Sequence, residues 1–435
     1  MKSIAVLGAG PAGTAVALGL RRLGFQVCVV SEWRRFAALE GVSQRVLDAL
    51  RGAGLNHALA VASEPSRRHA RWNGEAHDRN VEFLLDRPRF DQGLRDDLHH
   101  AGVRLIEARV LGVRSEANGV IVELDGAPAL SADFYVEARG RQAPQHDRSV
   151  GRAWRGPETL SLLNRWQGES GSSASAVESQ ADGWMWMARQ ADGRCYWQWT
   201  LDVAGTALPD KSALLDFCRE RRWQSPLARA FFASQDERDL QLHARSSTAI
   251  LTPVCGGDNW LRVGDAAMAV DPLSGNGIFQ SLSSALQAPA VINTLLTRPE
   301  RRDLALRFHQ QRVEHLFWRF ARLGRDFYIE EQRWAEQPFW QARRQWPDAE
   351  PLHADVDFAS LRIEQAPVLR DGLVDLAHVV ISPDQPLGIW HLNGVELAPL
   401  VSRLRTEPAD QVLAPLSPEQ QRHIRGWLLS QGYRP

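Results

Sequence analysis

The sequence has almost no lysine: of its 51 basic residues, only Lys2 and Lys211 are not arginine. Chemistry that needs a lysine therefore has two places to look, whereas arginine, always charged and rich in donors, is abundant. Charge of one sign is missing too, because 52 acidic residues offset the basic ones and leave a net -1. That balance excludes a chain-wide attraction to nucleic acid or to an anionic membrane surface. Cysteine is scarce, and Cys28, Cys195, Cys218 and Cys255 stand far apart with no Cys-x-x-Cys pair. Neither a disulfide framework nor a zinc site is expected, and reduced thiols fit a cytoplasmic protein. No apolar run reaches the roughly 18 residues needed to cross a bilayer. The apolar start also lacks the basic region and small-residue cleavage site of a secretory signal.

What is present begins at that apolar start. SIAVL (residues 3–7) reads as a strand, GAGPAG follows, TAVALGLRRLG reads as a helix stopped by Gly24, and QVCVV as a second strand ending at Ser31 and Glu32. This βαβ unit gives Gly8, Gly10 and Gly13 the spacing of a dinucleotide-binding turn. Gly8 permits the tight turn, Gly10 lets a pyrophosphate approach the backbone ahead of Pro11 and Ala12, and Gly13 lets helix and strand pack closely. A phosphate would sit on the helix N-terminus. Glu32 would accept hydrogen bonds from a ribose diol and repel a 2′-phosphate, so FAD or NAD is preferred over NADP.

Further along, residues 86–113 read as an amphipathic helix and a strand, and VIVEL, the turn DGAPAL and DFYVEARGR complete a ladder ending in Gly140. Residues 156–182, rich in Ser, Gly and Glu, predict a loop or linker. GWMWMARQADGRCYWQWTLDV (183–203) predicts a β-hairpin, with Trp184 and Trp186 sharing one face and Trp197 and Trp199 likewise, as a pocket wall or as plain sheet core. From Trp260 the pattern gives a strand, a loop of small residues and a long helix, and residues 301–334 continue as an amphipathic helix before Pro338, Pro347 and Pro351 mark a boundary. His99, His100 and His243 read as surface or structural residues. Arg67, Arg68 and Arg71 form a basic patch that is either a solvated face or a contact for an acidic peptide.

Three separated segments carry a resemblance covering about the first 330 residues. GAGPAG with Glu32, Arg87 in DRPRFD, and GDAAMAVDPLSGNGI stand in the order and spacing of the FAD-dependent aromatic hydroxylase superfamily, with its p-hydroxybenzoate hydroxylase type of fold. The resemblance implies an α/β fold in which a Rossmann-like FAD-binding domain (1–70, 86–155 and 245–350) is interleaved with a β-sheet substrate domain (71–85 and 156–244). A small C-terminal α+β domain (352–435) follows. It implies FAD contacts at Gly8, Gly10, Pro11, Ala12, Gly13, Glu32, Arg87, Asp265, Gly275, Asn276 and Gly277. Asp265 would bond a ribitol hydroxyl or cap its turn, Gly275 and Gly277 would turn backbone amides to the flavin, and Asn276 would supply an αL backbone or a side-chain contact. Pro272 would stiffen the loop beside the ring and, with Trp184 and Trp186, line the substrate pocket.

Within that superfamily the chain is similar to the halogenase-like branch, since EARGRQAP replaces the Asp-Gly motif of the phenol hydroxylases and GWMWMAR stands where halogenases show a Trp-x-Trp-x-Ile-Pro run. Neither lysine sits where a halogenase keeps its functional one. The resemblance is nearest to halogenase-like flavoproteins that modify a partner protein, as the monooxygenases of quinohemoprotein amine dehydrogenase maturation do in tryptophylquinone biogenesis. It implies a monooxygenase that uses molecular oxygen, through a flavin C4a-hydroperoxide, to hydroxylate the indole of a tryptophan in a partner polypeptide. NAD(P)H would be the ultimate reductant, directly or through a flavin reductase. No catalytic residue is readable. A small-molecule hydroxylase or halogenase and a non-catalytic assembly factor are the competing expectations.

Residues 352–435 suggest a helix–helix–strand arrangement loosely similar to winged-helix modules. Seven arginines against ten acids there disfavour phosphate contact. A structural lid, a dimer contact or a docking surface for the polypeptide fits the segment equally.

Overall fold

The computed structural model describes residues 1–34, 36–117, 119–144, 151–232, 237–275 and 277–434. These fall into two compact units, Met1–Pro289 with Val313–Ala349, and Ala290–Arg312 with Glu350–Pro435.

The first unit contains a parallel five-stranded sheet ordered Trp260–Arg262, Phe134–Glu137, Ser3–Leu7, Gln26–Ser31 and Arg104–Glu107. Its central strand, Ser3–Leu7, is apolar and buried on both faces, as a parallel strand covered on either side must be. The carboxyl ends of Ser3–Leu7, Phe134–Glu137 and Trp260–Arg262 lead into the glycine turn, the Arg-Gly-Arg run and the Gly-Asp loop respectively. Three motifs separated by more than a hundred residues thus converge at one sheet edge, the usual place for a ligand in an open α/β sheet.

The second sheet of this unit has eight strands, from Arg238–Ser246 at one edge through Thr159–Gln167, Arg194–Asp202, Gly183–Arg189, Ala174–Gln180, Ser66–Trp72 and Glu75–Asp86 to Leu39–Val42. The expected linker at 156–182 is therefore two strands, Thr159–Gln167 and Ala174–Gln180. Its polar composition misled because those residues are buried and bonded to partners elsewhere in the chain: Ser161 to Thr200 at 3.3 Å and Ser247 at 2.7 Å, and Ser179 to Glu331. The expected hairpin is present as Gly183–Arg189 and Arg194–Asp202. Its two faces differ. Met185, Met187, Trp197 and Trp199 lie on the side covered by helices Leu214–Gln224 and Pro226–Phe232, while Trp184, Trp186 and Tyr196 lie on the other with Leu273, Tyr328 and Phe36.

The expected long helix after the Gly-Asp loop is two helices, Gly277–Ala285 and Ala288–Thr297, and the next spans Arg302–Glu330. In the second unit, strands Arg362–Arg370, Leu373–Ser382 and Gln385–Ile389 form an antiparallel sheet, followed by helices Leu397–Leu404, Ala409–Leu413 and Pro418–Ser430. The order is strands first and then helices, so the helix–helix–strand expectation is corrected. The missed signal was Asp371-Gly372, both with positive φ (51° and 71°), the residue pair that a tight hairpin turn demands. Segment 290–312, expected within the FAD-binding domain, packs instead with this unit. Asn293 donates to the Gly372 carbonyl at 2.8 Å, Thr294 Oγ1 accepts from the Val374 amide at 2.8 Å, and Arg301 pairs with Asp375 at 3.1 Å.

Candidate functional site

At the first βα turn the glycines divide by function. Gly8 has φ +111°, and a Cβ there would stand 2.5 Å from the Ala138 carbonyl oxygen; one on Gly13 would stand 1.9 Å from the Gly8 oxygen. Both are demanded by packing. Gly10 differs: nothing lies within 4 Å of an added Cβ, and it caps helix Pro11–Arg22 with no side chain bonded to the helix amides. That open helix start fits a pyrophosphate. Ala12 is buried against the Gly-Asp loop, since a Cβ on Gly264 would meet the Ala12 Cβ at 2.6 Å. Glu32 is exposed just past the second strand. Ser31, which the sequence did not single out, accepts from the Ala9 amide at 3.2 Å and donates to the Glu32 carbonyl at 2.9 Å, tying the turn to the strand end.

Asp265 lies in the short turn Gly264–Ala266, accepts from Ser281 Oγ at 3.0 Å and faces Arg141 Nε at 3.7 Å. Burial raises its carboxyl above the ordinary value and Arg141 opposes the rise, yet 35% of the side chain stays accessible, enough to receive a polyol hydroxyl. Arg141, also missed, is anchored by the Thr248 and Val270 carbonyls. Downstream, Asp271 caps the turn Pro272–Ser274 by accepting from the Leu273 amide at 2.9 Å, with Pro272 opening that turn. Gly275 follows in the left-handed region at φ +62°, and Gly277 starts a helix; an added Cβ on either meets nothing within 4 Å. Asn276 lies outside the described residues. Open glycines at two helix starts and an accessible carboxylate between them fit a bound FAD.

Residues 1–316 match the family described as the FAD binding domain. The chain belongs to that family. A solved structure described as the peptidyl tryptophan dihydroxylase QhpG, essential for tryptophylquinone cofactor biogenesis, is 60% identical and covers 100% of both chains with a TM-score of 0.88. The flavin-dependent halogenase CmlS, 15% identical with a TM-score of 0.75 over 99% of this chain and 94% of its own, shares the fold. Among curated proteins, the tryptophan 2-halogenase of Chondromyces crocatus is 22% identical over 78% of this chain and 70% of its own. The protein is thus a flavin-dependent monooxygenase, with FAD as its cofactor.

Within this FAD-binding protein, Arg87 does not reach outward. Its guanidinium is buried and bonded to Glu40 at 2.9 Å and Asp91 at 2.7 Å, so it joins the strand Leu39–Val42 to the helix Arg87–His100. Burial alone would raise Glu40, but Arg87, Arg245 and Arg34 overcome it and hold its carboxyl below the ordinary value. Arg87 is thus held in an ion-pair network of the protein's own, and the helix begins there because Asp86 caps the Arg89 amide at 3.3 Å.

On the substrate side, Trp184 donates from Nε1 to the Tyr328 hydroxyl at 3.2 Å, and Tyr328 donates to Asp271 at 2.8 Å. This chain of bonds joins the indole wall to the loop that carries Pro272. Tyr328 is raised well above the ordinary tyrosine value by burial and then by Asp271, so it remains a phenol. Trp186 donates to Glu82 at 3.4 Å. Met185 and Met187, on the opposite face, are not part of that wall. The basic patch is partly neutralised: Arg68 stands 4.0 Å from Glu82 and Arg71 3.5 Å from Glu178, leaving Arg67 exposed. Neither a cavity of 280 Å³ beside Trp199 and Arg221 nor one of 490 Å³ beside Arg370 and Trp390 is lined by these residues.

Proposed function

We propose that this protein uses FAD and molecular oxygen to hydroxylate the indole ring of a tryptophan in a partner polypeptide, as a step of tryptophylquinone biogenesis. The observation that carries this is the 60% identity with QhpG along the full length of both chains. Bound FAD supplies reducing equivalents and activates oxygen. The chain's own residues do the rest. Gly10 and the helix start at Pro11 would hold the pyrophosphate, Asp265 would hold a ribitol hydroxyl, and Gly275 and Gly277 would offer backbone amides to the flavin. Trp184 and Trp186 form an apolar wall that keeps water from the reacting atoms, while Tyr328 and Asp271 keep that wall in register with the loop at Pro272. An indole is already electron-rich, so no strong base is required.

The electrons come from NAD(P)H. Arg139 is taken up by Glu137, and Arg141 by Thr248, Val270 and Asp265, which supports delivery through a separate flavin reductase rather than a dinucleotide site on these arginines. Four free thiols, three of them buried, go with a cytoplasmic setting. Among the described residues no helix is long and apolar enough to cross a membrane. The halogenase reading is weaker, since Lys2 is bonded to Asp133 at 2.8 Å and Lys211 is exposed in a loop.

The test is to incubate the FAD-loaded protein, a flavin reductase and NAD(P)H with the tryptophan-bearing polypeptide, and to read the product by mass spectrometry. Oxygen added on a tryptophan is expected. Oxygen consumption without product, or a protein that takes up no flavin, overturns the reading.

A further inference from the structure

Strand register sets out two adjacent rows on the flavin side of the eight-stranded sheet. One runs Ser179, Trp184, Thr200, Ser161, Arg245; the other runs Val177, Trp186, Gln198, Leu163, His243. Each row has an indole toward one end and a basic side chain at the other, three strand spacings apart, or about 14 Å at about 4.8 Å each.

Arg245 has little to hold. Among the described residues its one hydrogen bond is Nη2 to Gln198 Oε1, at 3.5 Å, and it makes no ion pair. The side chain is open to water, yet burial lowers its pKa, with Glu40 and Asp265 favouring the cation and Arg87 and Arg141 opposing it. An exposed guanidinium whose charge is felt by Glu40, Asp265, Arg87 and Arg141 is accessible to a ligand beside the strand Leu39–Val42 and the Gly-Asp loop. The nearby carboxylates are already engaged, Glu40 by Arg87 at 2.9 Å and Asp265 by Ser281 at 3.0 Å. Beside Arg245, His243 stacks on Phe36 with ring centroids 4.8 Å apart, and its Nε2 is buried without a hydrogen-bond partner. The buried His243 ring nitrogen is left unsatisfied beside an exposed guanidinium with one long hydrogen bond, and a ligand that reached both would complete them.

We propose that Arg245, with Gln198 and His243, forms a subsite for a carboxylate side chain that the substrate polypeptide carries a few residues from the target tryptophan. The inference rests on the reading of the substrate as a tryptophan-bearing polypeptide. Arginine presents a planar fork that pairs with a carboxylate through two parallel bonds. An extended chain advances about 3.3 Å per residue, so about four residues span the distance from the indole wall to Arg245. The cofactor does not need this cation, because the helix starts at Gly10 and Gly277 already present positive ends to it. Arg245 comes instead from the sheet that carries Trp184 and Trp186.

The test uses the full-length, FAD-loaded protein and two sets of peptides with a single tryptophan, one set with glutamate and the other with glutamine at successive positions along the chain from it. Binding is read from the flavin absorbance change without turnover. The best glutamate peptide should bind at least about tenfold more tightly than its glutamine twin, a difference of about 1.4 kcal/mol, and Arg245→Gln should abolish that preference. A second measurement needs no variant: free glutarate should weaken binding of the glutamate peptide and leave the glutamine peptide unaffected. A wild-type protein that binds neither set, or both alike, overturns the proposal. So does an Arg245→Gln protein that keeps the preference, or one whose flavin potential shifts while the preference stays, which would assign the cation to the flavin. Mass analysis of the same peptides reads hydroxylation separately, so an intact glutamate preference without hydroxylation would fail the functional reading and leave the subsite standing.

Discussion

Asp265 and Gly10 would serve FAD by opposite means, one offering an accessible charge and the other open space. Asp265→Ala removes a charge-assisted hydrogen bond of about 1.5–3 kcal/mol, so FAD affinity is expected to fall roughly ten- to a hundredfold, measurable by flavin fluorescence titration. Normal affinity in that variant would remove the Gly-Asp loop from the site. Gly10→Val should be harsher, because its added atoms occupy space that is open only in the absence of pyrophosphate. Its purified protein is expected to be colourless but folded by circular dichroism. A third expectation concerns acid stability. Lys2 and then the Ser3 amide hold the Asp133 carboxyl down at about 2, below its ordinary 3.8. A group depressed in the folded state stabilises the fold above its unfolded value, and that contribution is lost as pH falls from 3.8 toward 2. The pair is largely exposed, so Lys2→Ala should cost less than about 1 kcal/mol at neutral pH. Its denaturant midpoint should converge on that of the wild type at the acid end; a constant gap across the range would assign the effect to something other than Asp133.

At the scale of elements, the loop from Asp271 to Gly277 is held from outside itself. Its cap, Asp271, is bonded by a tyrosine from the helix Arg302–Glu330, which is in turn bonded by an indole from the sheet. Tyr328→Phe leaves Asp271 buried with one donor fewer and Trp184 Nε1 without its acceptor, a loss of about 1–3 kcal/mol. Thermal unfolding should drop accordingly, and more hydrogen peroxide should be released per oxygen consumed, because the wall and the loop no longer move as one. An unchanged peroxide yield would limit Tyr328 to a purely structural role. The strands at 159–180 show why such elements escape sequence reading. Periodicity assumes that polar residues face water, and there Ser161, Asn164, Ser175 and Ser179 are all buried in the sheet.

For the whole molecule, the division into units changes what a truncation would do. The C-terminal region has its own core, in which Val380, Leu397, Val401, Leu413, Ile424 and Leu428 are buried together. Segment 290–312 shares that unit through Asn293, Thr294 and Arg301. Ending the chain at Ala349 would leave Thr294 and its neighbours without their partners, so the shortened protein is expected to bind FAD but to melt lower than the full chain. An unchanged melting temperature would show that 290–312 does not depend on the C-terminal strands. Loss of polypeptide binding with retained flavin would assign docking to that region.

The sequence by itself determined the nucleotide-binding βαβ unit, the three flavin motifs and the hairpin of indoles, because each depends on short-range spacing of glycines or apolar residues. It could not decide which charged side chains are taken up in ion pairs. Arg87 and Arg245 look alike in sequence, yet two carboxylates close over the first while the second has none within ion-pair reach among the described residues, an outcome set by strands and helices far apart in the chain. Nor could it reveal that Trp184, Tyr328 and Asp271 are joined, or that the two faces of one hairpin pack against different elements. Those facts belong to tertiary structure, since hydrogen bonds and ion pairs over such separations exist only once the sheets have stacked.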